Sequence, residues 1–274
     1  MGMPLSLREE FPTISDLAYQ EYRRHLHVAD VMTTPVLSIG PDMTMKDVAE
    51  IMGERHVGSL VVTERETPVG IVTERDLLGK VIAQDREPAE VTVRNVMSTR
   101  LVTVHPTDTI KDAARTMIKQ KGRLVVLKEG MVEGIVTASD LIRALPSIPE
   151  TKLKVEDVMT RKVVSADRDT PVRRVAKTMG DMRIGSVLVK DSGKPTGIFT
   201  ERDLLTKVLA RGLSMETAVG GVASTPLITI ASGSSIHKTA LTMASKHIRR
   251  LPVIEGEEIV GIVTARDLVE AYSK

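Results

Sequence analysis

The sequence predicts a mixed α/β (α+β) chain built from four β-α-β-β-α repeats arranged as two tandem pairs. Three observations carry this prediction. The string Gly-Ile-Val-Thr at 70–73 returns at 134–137, as Gly-Ile-Phe-Thr at 197–200, and again at 261–264. Its threonines (Thr73, Thr137, Thr200 and Thr264) are spaced by 64, 63 and 64 residues, and each is followed three positions on by an aspartate: Asp76, Asp140, Asp203 and Asp267. Upstream, Asp30-Val31-Met32-Thr33 recurs as Asn95-Val96-Met97-Ser98, Asp157-Val158-Met159-Thr160 and, altered, Gly221-Val222-Ala223-Ser224. Anchors held in register at a fixed period are the signature of a repeat architecture.

Each repeat reads the same way from its first residue to its last. A short apolar segment opens it: Val36 to Ile39, Leu101 to Val104, Val163 to Ser165, Leu227 to Ile230. N-cap candidates follow at Thr44, Thr109 and Ser235, with Thr170-Pro171 in the third copy. Met45, Val48, Ala49 and Met52 then fall at helical spacing. An apolar strand from Ser59 to Val62, a turn and a second strand from Val69 to Thr73 come next, and Asp76-Leu77-Leu78 opens a closing helix.

A unit of this size buries only about 60% of its unfolded surface, so pairing is expected. Copies one and three share Gly58-Ser59 and Gly185-Ser186, Met52-Gly53 and Met179-Gly180, and Thr-Glu-Arg-Asp at 73–76 and 200–203. Copies two and four instead carry Arg123-Leu124 and Arg250-Leu251, with Thr-Ala at the motif. This A-B-A-B pattern divides the chain into an N-terminal helical extension (1–27), a first pair (28–145, repeats 28–80 and 93–145), a Pro-bearing linker (146–154) and a second pair (155–272, repeats 155–208 and 218–272). In the extension, Ile14, Ala18 and Tyr22 fall on one helical face.

Composition narrows the function. The 274 residues are 42% apolar and 27% charged, with a net charge of +2, too balanced to coat a nucleic-acid duplex. With two Phe, three Tyr and no Trp, base stacking on aromatic platforms is not available as a general binding mode. No apolar run approaches the roughly 18 residues that span a bilayer, and with no cysteine a cytoplasmic setting is expected. Most of the fourteen methionines fall at helical core spacing or in the opening motif, and the six histidines lack metal-ligand spacing beyond His25-x-His27. No nucleophile triad, Walker loop or acid pair stands out, so no catalytic residues and no catalytic cofactor are expected.

The recurring Thr-x-x-Asp string has two physical readings. One is an N-cap with an acid in the first helical turn. The other is a ligand site, in which the carboxylate accepts from vicinal hydroxyls while the threonine and a neighbouring arginine take a phosphate. Gly58 and Gly185 would let a ligand approach the backbone, or would mark a bulge or tight packing against a helix.

The opening Asp-Val-Met-Thr, the Gly-Ser-Leu-Val-Val or Arg-Leu-Pro-Val strand and the Gly-Ile-Val-Thr-Glu-Arg-Asp-Leu close together resemble the CBS domain over roughly residues 28 to 272. The resemblance implies two CBS pairs (Bateman modules) set as a disc, and a non-catalytic regulator binding an adenosine ligand, AMP, ADP or ATP in the first place. S-adenosylmethionine or methylthioadenosine, or vacant clefts in a protein-interaction scaffold, are the alternatives. It implies an adenosine-type small molecule, a homodimer or an unidentified protein target as partners, and neither membrane nor nucleic acid. Carried over by residue, it assigns ribose and phosphate to Thr73, Arg75, Asp76, Thr137, Asp140, Thr200, Arg202, Asp203, Thr264, Arg266 and Asp267. It assigns a second phosphate-side set to Lys121, Arg123, Arg249 and Arg250, for which a solvated strand end is the alternative. The adenine side falls to Pro35, Val36, Leu101, Val163, Pro226 and Leu227. Copy two departs from the pattern because Ser139 replaces the arginine, which makes it the expected weakest phosphate site.

Overall fold

A computed structural model describes residues 26–144 and 152–273. The expected helix within 1–27, except for its last two residues, and most of the 146–154 linker lie outside the described residues. Each repeat forms a three-stranded sheet with the second strand in the centre. In the first repeat Ser38–Ile39 runs parallel to Ser59–Glu64, which pairs antiparallel with Thr67–Thr73. The helix Met45–Glu54 makes the parallel crossover, and Glu74–Lys80 closes the unit. The same order recurs in the other three repeats.

The opening motifs depart from the expected order. Residues before the first strand form a short helix at Val28–Val31, Val93–Val96 and Val155–Val158, and a 3₁₀ turn at Val219–Gly221. The chain then bridges to the third strand of the neighbouring repeat: Thr33 to Ile135, Ser98 to Ile71, Thr160 to Ile262 and Ser224 to Ile198. Only afterwards does it enter its own sheet, so the first strands of repeats one, two and four are shorter than expected and that of the third is displaced. The third begins at Ser165, where it faces Leu188, and ends at Asp167. Likewise Pro171 is the N-cap of Val172–Asp181 and supplies no side-chain cap.

The crossing explains the motif glycines. A Cβ on Gly134 would lie 2.5 Å from the Met32 sulfur, and one on Gly70 would lie 2.9 Å from that of Met97. Gly261 faces Met159 in the same way, while in the altered copy Gly197 faces Thr225 and Ala223. Methionine in one repeat and glycine in its neighbour are two halves of one contact.

The helices pack along the other direction. Met45, Val48, Met52 and Leu77 of the first repeat share one core with Val172, Val175, Met179, Phe199 and Leu204 of the third. Ile110, Ala113, Met117 and Leu141 of the second share another with Ile236, Ala240, Met243 and Leu268 of the fourth. Complete burial of a side chain of this size contributes about 1.5–3 kcal/mol. A-type helices therefore meet A-type helices, and Gly53 admits Ala210 of the third repeat, whose Cβ lies 2.5 Å from where a glycine Cβ would stand. A smaller core of Val61, Ile71, Val125 and Ile135 joins the sheets of repeats one and two.

Candidate functional site

All four motif aspartates cap their own closing helix. One carboxylate oxygen accepts from both the amide and the hydroxyl of the motif threonine, at 2.6–2.9 Å, in every copy. The capping reading is thus a fact of the fold, and it leaves the second oxygen to decide what else each aspartate can do. At Asp76 that oxygen is 2.7 Å from Lys80, and at Asp140 it pairs with Arg143. At Asp203 it meets Lys207 at 2.7 Å and accepts from the Ser224 hydroxyl at 2.8 Å. Among the described residues Asp267 has no such cation, and burial raises its pKa above the ordinary 3.8 against the pull of its Thr264 hydrogen bonds. These flanking cations sit three or four positions after the aspartate, a helical spacing that was available in the sequence.

The motif arginines reach across the molecule. Arg75 donates to Glu201 at 3.0 Å and Arg202 to Glu74 at 3.2 Å, so the two A-type repeats exchange ion pairs. Arg249 reaches Glu74 at 3.1 Å and Arg250 reaches Glu201 at 2.8 Å. Glu74 and Glu201 are buried at the second position of Thr-Glu-Arg-Asp, where sequence reasoning gave them no role. Burial pushes the Glu74 pKa up, but the Arg249, Arg202 and Arg123 guanidiniums outweigh it and hold the group below its ordinary value. Burial also depresses Arg123 and Arg250, partly offset by Glu74 and Glu201.

This cluster bears on two readings that the sequence left open. Gly58 and Gly185 are not simple bulges, because they make room for side chains of the cluster. A Cβ on Gly58 would meet the Glu74 carboxylate at 2.7 Å and Arg123 at 3.1 Å, and one on Gly185 would overlap Arg250. The glycine carbonyls also accept from the Glu74 and Glu201 amides, each at 3.1 Å. Nor are the second-strand basic residues one solvated set: the Arg250 side chain is 15% exposed and that of Arg249 28%, whereas Lys121 ends its helix exposed.

Two cavities flank the cluster. The smaller, about 310 Å³, sets Pro35, Val36 and His56 of the first repeat against Thr137, Asp140 and Arg143 of the second. Arg123, Arg202 and Arg249 complete its wall. The absent arginine at Ser139 therefore does not leave the second copy poor in charge, because four arginines arrive from other positions and other repeats. The Ser139 hydroxyl itself is buried without a hydrogen-bond partner and lies on the wall of both cavities. His56 and His247, missed from the sequence, also line the smaller one.

The larger cavity, about 1020 Å³, brings together Thr73, Arg75 and Asp76, Thr264 and Arg266, and Lys121, Arg123, Arg249 and Arg250. Val163 joins them there, and Arg100 and Val102 take the place expected of Leu101. Leu101 packs instead on the core between the first two sheets. Thr200, Asp203, Asp267, Pro226 and Leu227 line neither cavity.

A profile of the CBS domain matches residues 28–83, 93–147, 155–210 and 219–274, and the chain belongs to the CBS-domain family. It is similar to the uncharacterized protein MJ1404 of Methanocaldococcus jannaschii, 29% identical over 89% of this chain and 61% of that protein's length. It is also similar to the CBS domain-containing protein YhcV of Bacillus subtilis, 35% identical over 42% of this chain and 81% of YhcV. Among solved structures, protein MJ1225 of M. jannaschii, described as a candidate archaeal homologue of g-AMPK, superposes with a TM-score of 0.75 at 22% identity, covering 90% of this chain and all of that one. The match with MJ1404 spans less than two thirds of that relative. No described helix is long and apolar enough to cross a membrane.

Proposed function

We propose that the chain is a non-catalytic regulatory protein whose two CBS pairs, 28–145 and 155–272, bind adenosine ligands, with AMP, ADP or ATP as the first candidates. The observation that carries this reading is the smaller cavity. An apolar opening segment at Pro35-Val36 faces a Thr137/Asp140 pair ringed by arginines, a division that suits a base at one end and phosphate at the other. Asp140 can still accept from a ribose hydroxyl while paired with Arg143, since a carboxylate has about four acceptor positions. Binding would bias the arrangement of the repeats by the ligand's differential affinity for alternative arrangements and so report to a partner, a second copy or another protein.

Thermal unfolding with AMP, ADP, ATP, S-adenosylmethionine, methylthioadenosine and NAD at about 1 mM tests the reading. A ligand at about 100 times its Kd adds roughly 2.7 kcal/mol, which for a chain of this size is roughly 5–10 °C. Asp140→Ala is expected to abolish the shift at the smaller cavity while the unliganded protein still unfolds cooperatively. A full shift in that variant overturns the assignment.

A second reading has its own support. The outer oxygens of Asp76, Asp140 and Asp203 already hold Lys80, Arg143 and Lys207, so a scaffold with self-satisfied, vacant clefts is chemically consistent. It predicts no shift with any of the six ligands.

A further inference from the structure

Three sulfur atoms sit at the joints between repeats. Where an opening segment crosses to its neighbour, a Cβ on the facing glycine would lie 2.5 Å from the Met32 sulfur, 2.9 Å from that of Met97 and 2.5 Å from that of Met159. The same methionines pack against the two helix cores. All three are half-buried, so each keeps part of its surface in solvent. The chain has no cysteine, which leaves thioethers as its only sulfur chemistry. The backbone bridges that follow these methionines are cavity walls. Thr33 and Ile135 line the smaller cavity, and Ser98 with Ile71 and Thr160 with Ile262 line the larger. The fourth joint differs in both respects. Its Gly197 faces Ala223 and Thr225, and its bridge of Ser224 and Ile198 lines neither cavity.

We propose that Met32, Met97 and Met159 are oxidation sites, and that their conversion to sulfoxide by a peroxide loosens the joints and the cavity walls with them. In this step a sulfur lone pair takes one oxygen of the peroxide and the O–O bond breaks. The thioether is oxidised to the sulfoxide while hydrogen peroxide is reduced to water. The product carries a polar S=O group where the thioether was apolar. With a glycine backbone against the sulfur and an apolar core beside it, the new dipole costs free energy in the packed contact. That cost falls when the opening segment lifts toward water. Methionines elsewhere do not combine reach with leverage. Met45, Met52 and Met179 are fully buried in the first helix core and shielded from the oxidant. Met131 and Met182 are 68% and 41% exposed, so their sulfoxides would stay in water and strain nothing.

Hydrogen peroxide titration of the full chain, followed by peptide mass spectrometry and thermal unfolding, tests the proposal. Met131 and Met182 are expected to oxidise first with no change in Tm. Met32, Met97 and Met159 should follow, roughly tenfold or more faster than Met45, Met52 and Met179, whose sulfurs are reached only by larger openings. Each oxidised joint should lower Tm by roughly 2–4 °C, the shift expected for one polar group held in a packed contact. The variant Met32→Leu/Met97→Leu/Met159→Leu, a near-isosteric exchange, should keep its Tm through the same treatment, and methionine sulfoxide reductases should restore that of the wild type. This variant retains the half-buried Met43 and Met215, so a loss that persists in it places the damage elsewhere and overturns the proposal. Joint methionines that react as slowly as the core ones, or that oxidise with Tm unchanged, overturn it as well. AMP probes the cavities, and that arm alone rests on the adenosine reading. Oxidised wild type should bind AMP about fivefold or more weakly than the oxidised variant, and equal binding overturns the link to the cavity walls. If AMP binds neither form, the adenosine reading falls, while the oxidation map and Tm still decide the methionine sites.

Discussion

Glu74 and Glu201 stand where five arginines from all four repeats converge, and neither can leave without stranding positive charge in a poorly hydrated place. Removing one member of a fully buried ion pair costs about 3–5 kcal/mol. The Arg202 side chain is 39% exposed, so part of that charge returns to water when its partner is lost. Glu74→Gln is therefore expected to destabilise by about 2 kcal/mol at neutral pH, measured by urea unfolding. The pH dependence follows from the depressed pKa of Glu74. A carboxylate held below its ordinary value contributes stability that is present above the unfolded-state pKa and disappears as pH falls through the folded-state one. Wild type and variant should therefore converge as pH drops below 4.5, the ordinary glutamate value. Curves that stay parallel would show that Glu74 stabilises by shape and not by charge. Asp267 runs the other way: its raised pKa means that ionising it costs stability as pH climbs from 3.8.

At the scale of elements, the exchanged opening segments tie neighbouring repeats together. Each is held by two bridging backbone hydrogen bonds, as between Thr33 and Ile135 at 2.9 and 3.2 Å, and three of the four also by a methionine seated on a glycine. Gly134→Ala puts a methyl against the Met32 side chain and should cost about 1–3 kcal/mol, the usual range for overpacking. Shortening the opposing side chain should return part of that loss, so Gly134→Ala/Met32→Ala is expected to lie above the sum of its single variants in a double-mutant cycle. The fourth repeat already uses this solution, with Ala223 near Gly197. Strict additivity would mean that the two side chains do not share the space.

For the molecule as a whole, the opening segments join repeats one to two and three to four, while the helix cores join one to three and two to four. Neither tandem pair can bury its helix faces alone. A chain of residues 28–145 would leave Met45, Met52, Met117 and Leu141 on its surface, and the match of A-type to A-type and B-type to B-type helices offers a second copy as cover. Such a half is expected to be a dimer by light scattering at micromolar concentration. A folded monomer would show that the helix cores are dispensable to each pair. Arg123 and Arg249 line both cavities, so ligands on the two sides draw on the same cations.

Period and alternation in the sequence sufficed for the four repeats, the order of strands and helices after each opening motif and the amphipathic faces, because these depend on spacing along a single chain. Thr73, Asp76 and their counterparts were visible as capping and candidate ligand groups for the same reason. Nothing local said that Arg75 serves Glu201 and that Arg202 serves Glu74, since partners 126 and 128 residues apart meet only when the third repeat packs on the first. The cavities belong to the same class of fact. That Gly58 makes room for a carboxylate and a guanidinium, and that the cleft of Ser139 is lined with arginines, was decided by side chains distant in the chain. Spacing determines which face of an element is apolar, but the charge within a cleft is a sum over every repeat that borders it, and only the packed molecule performs that sum.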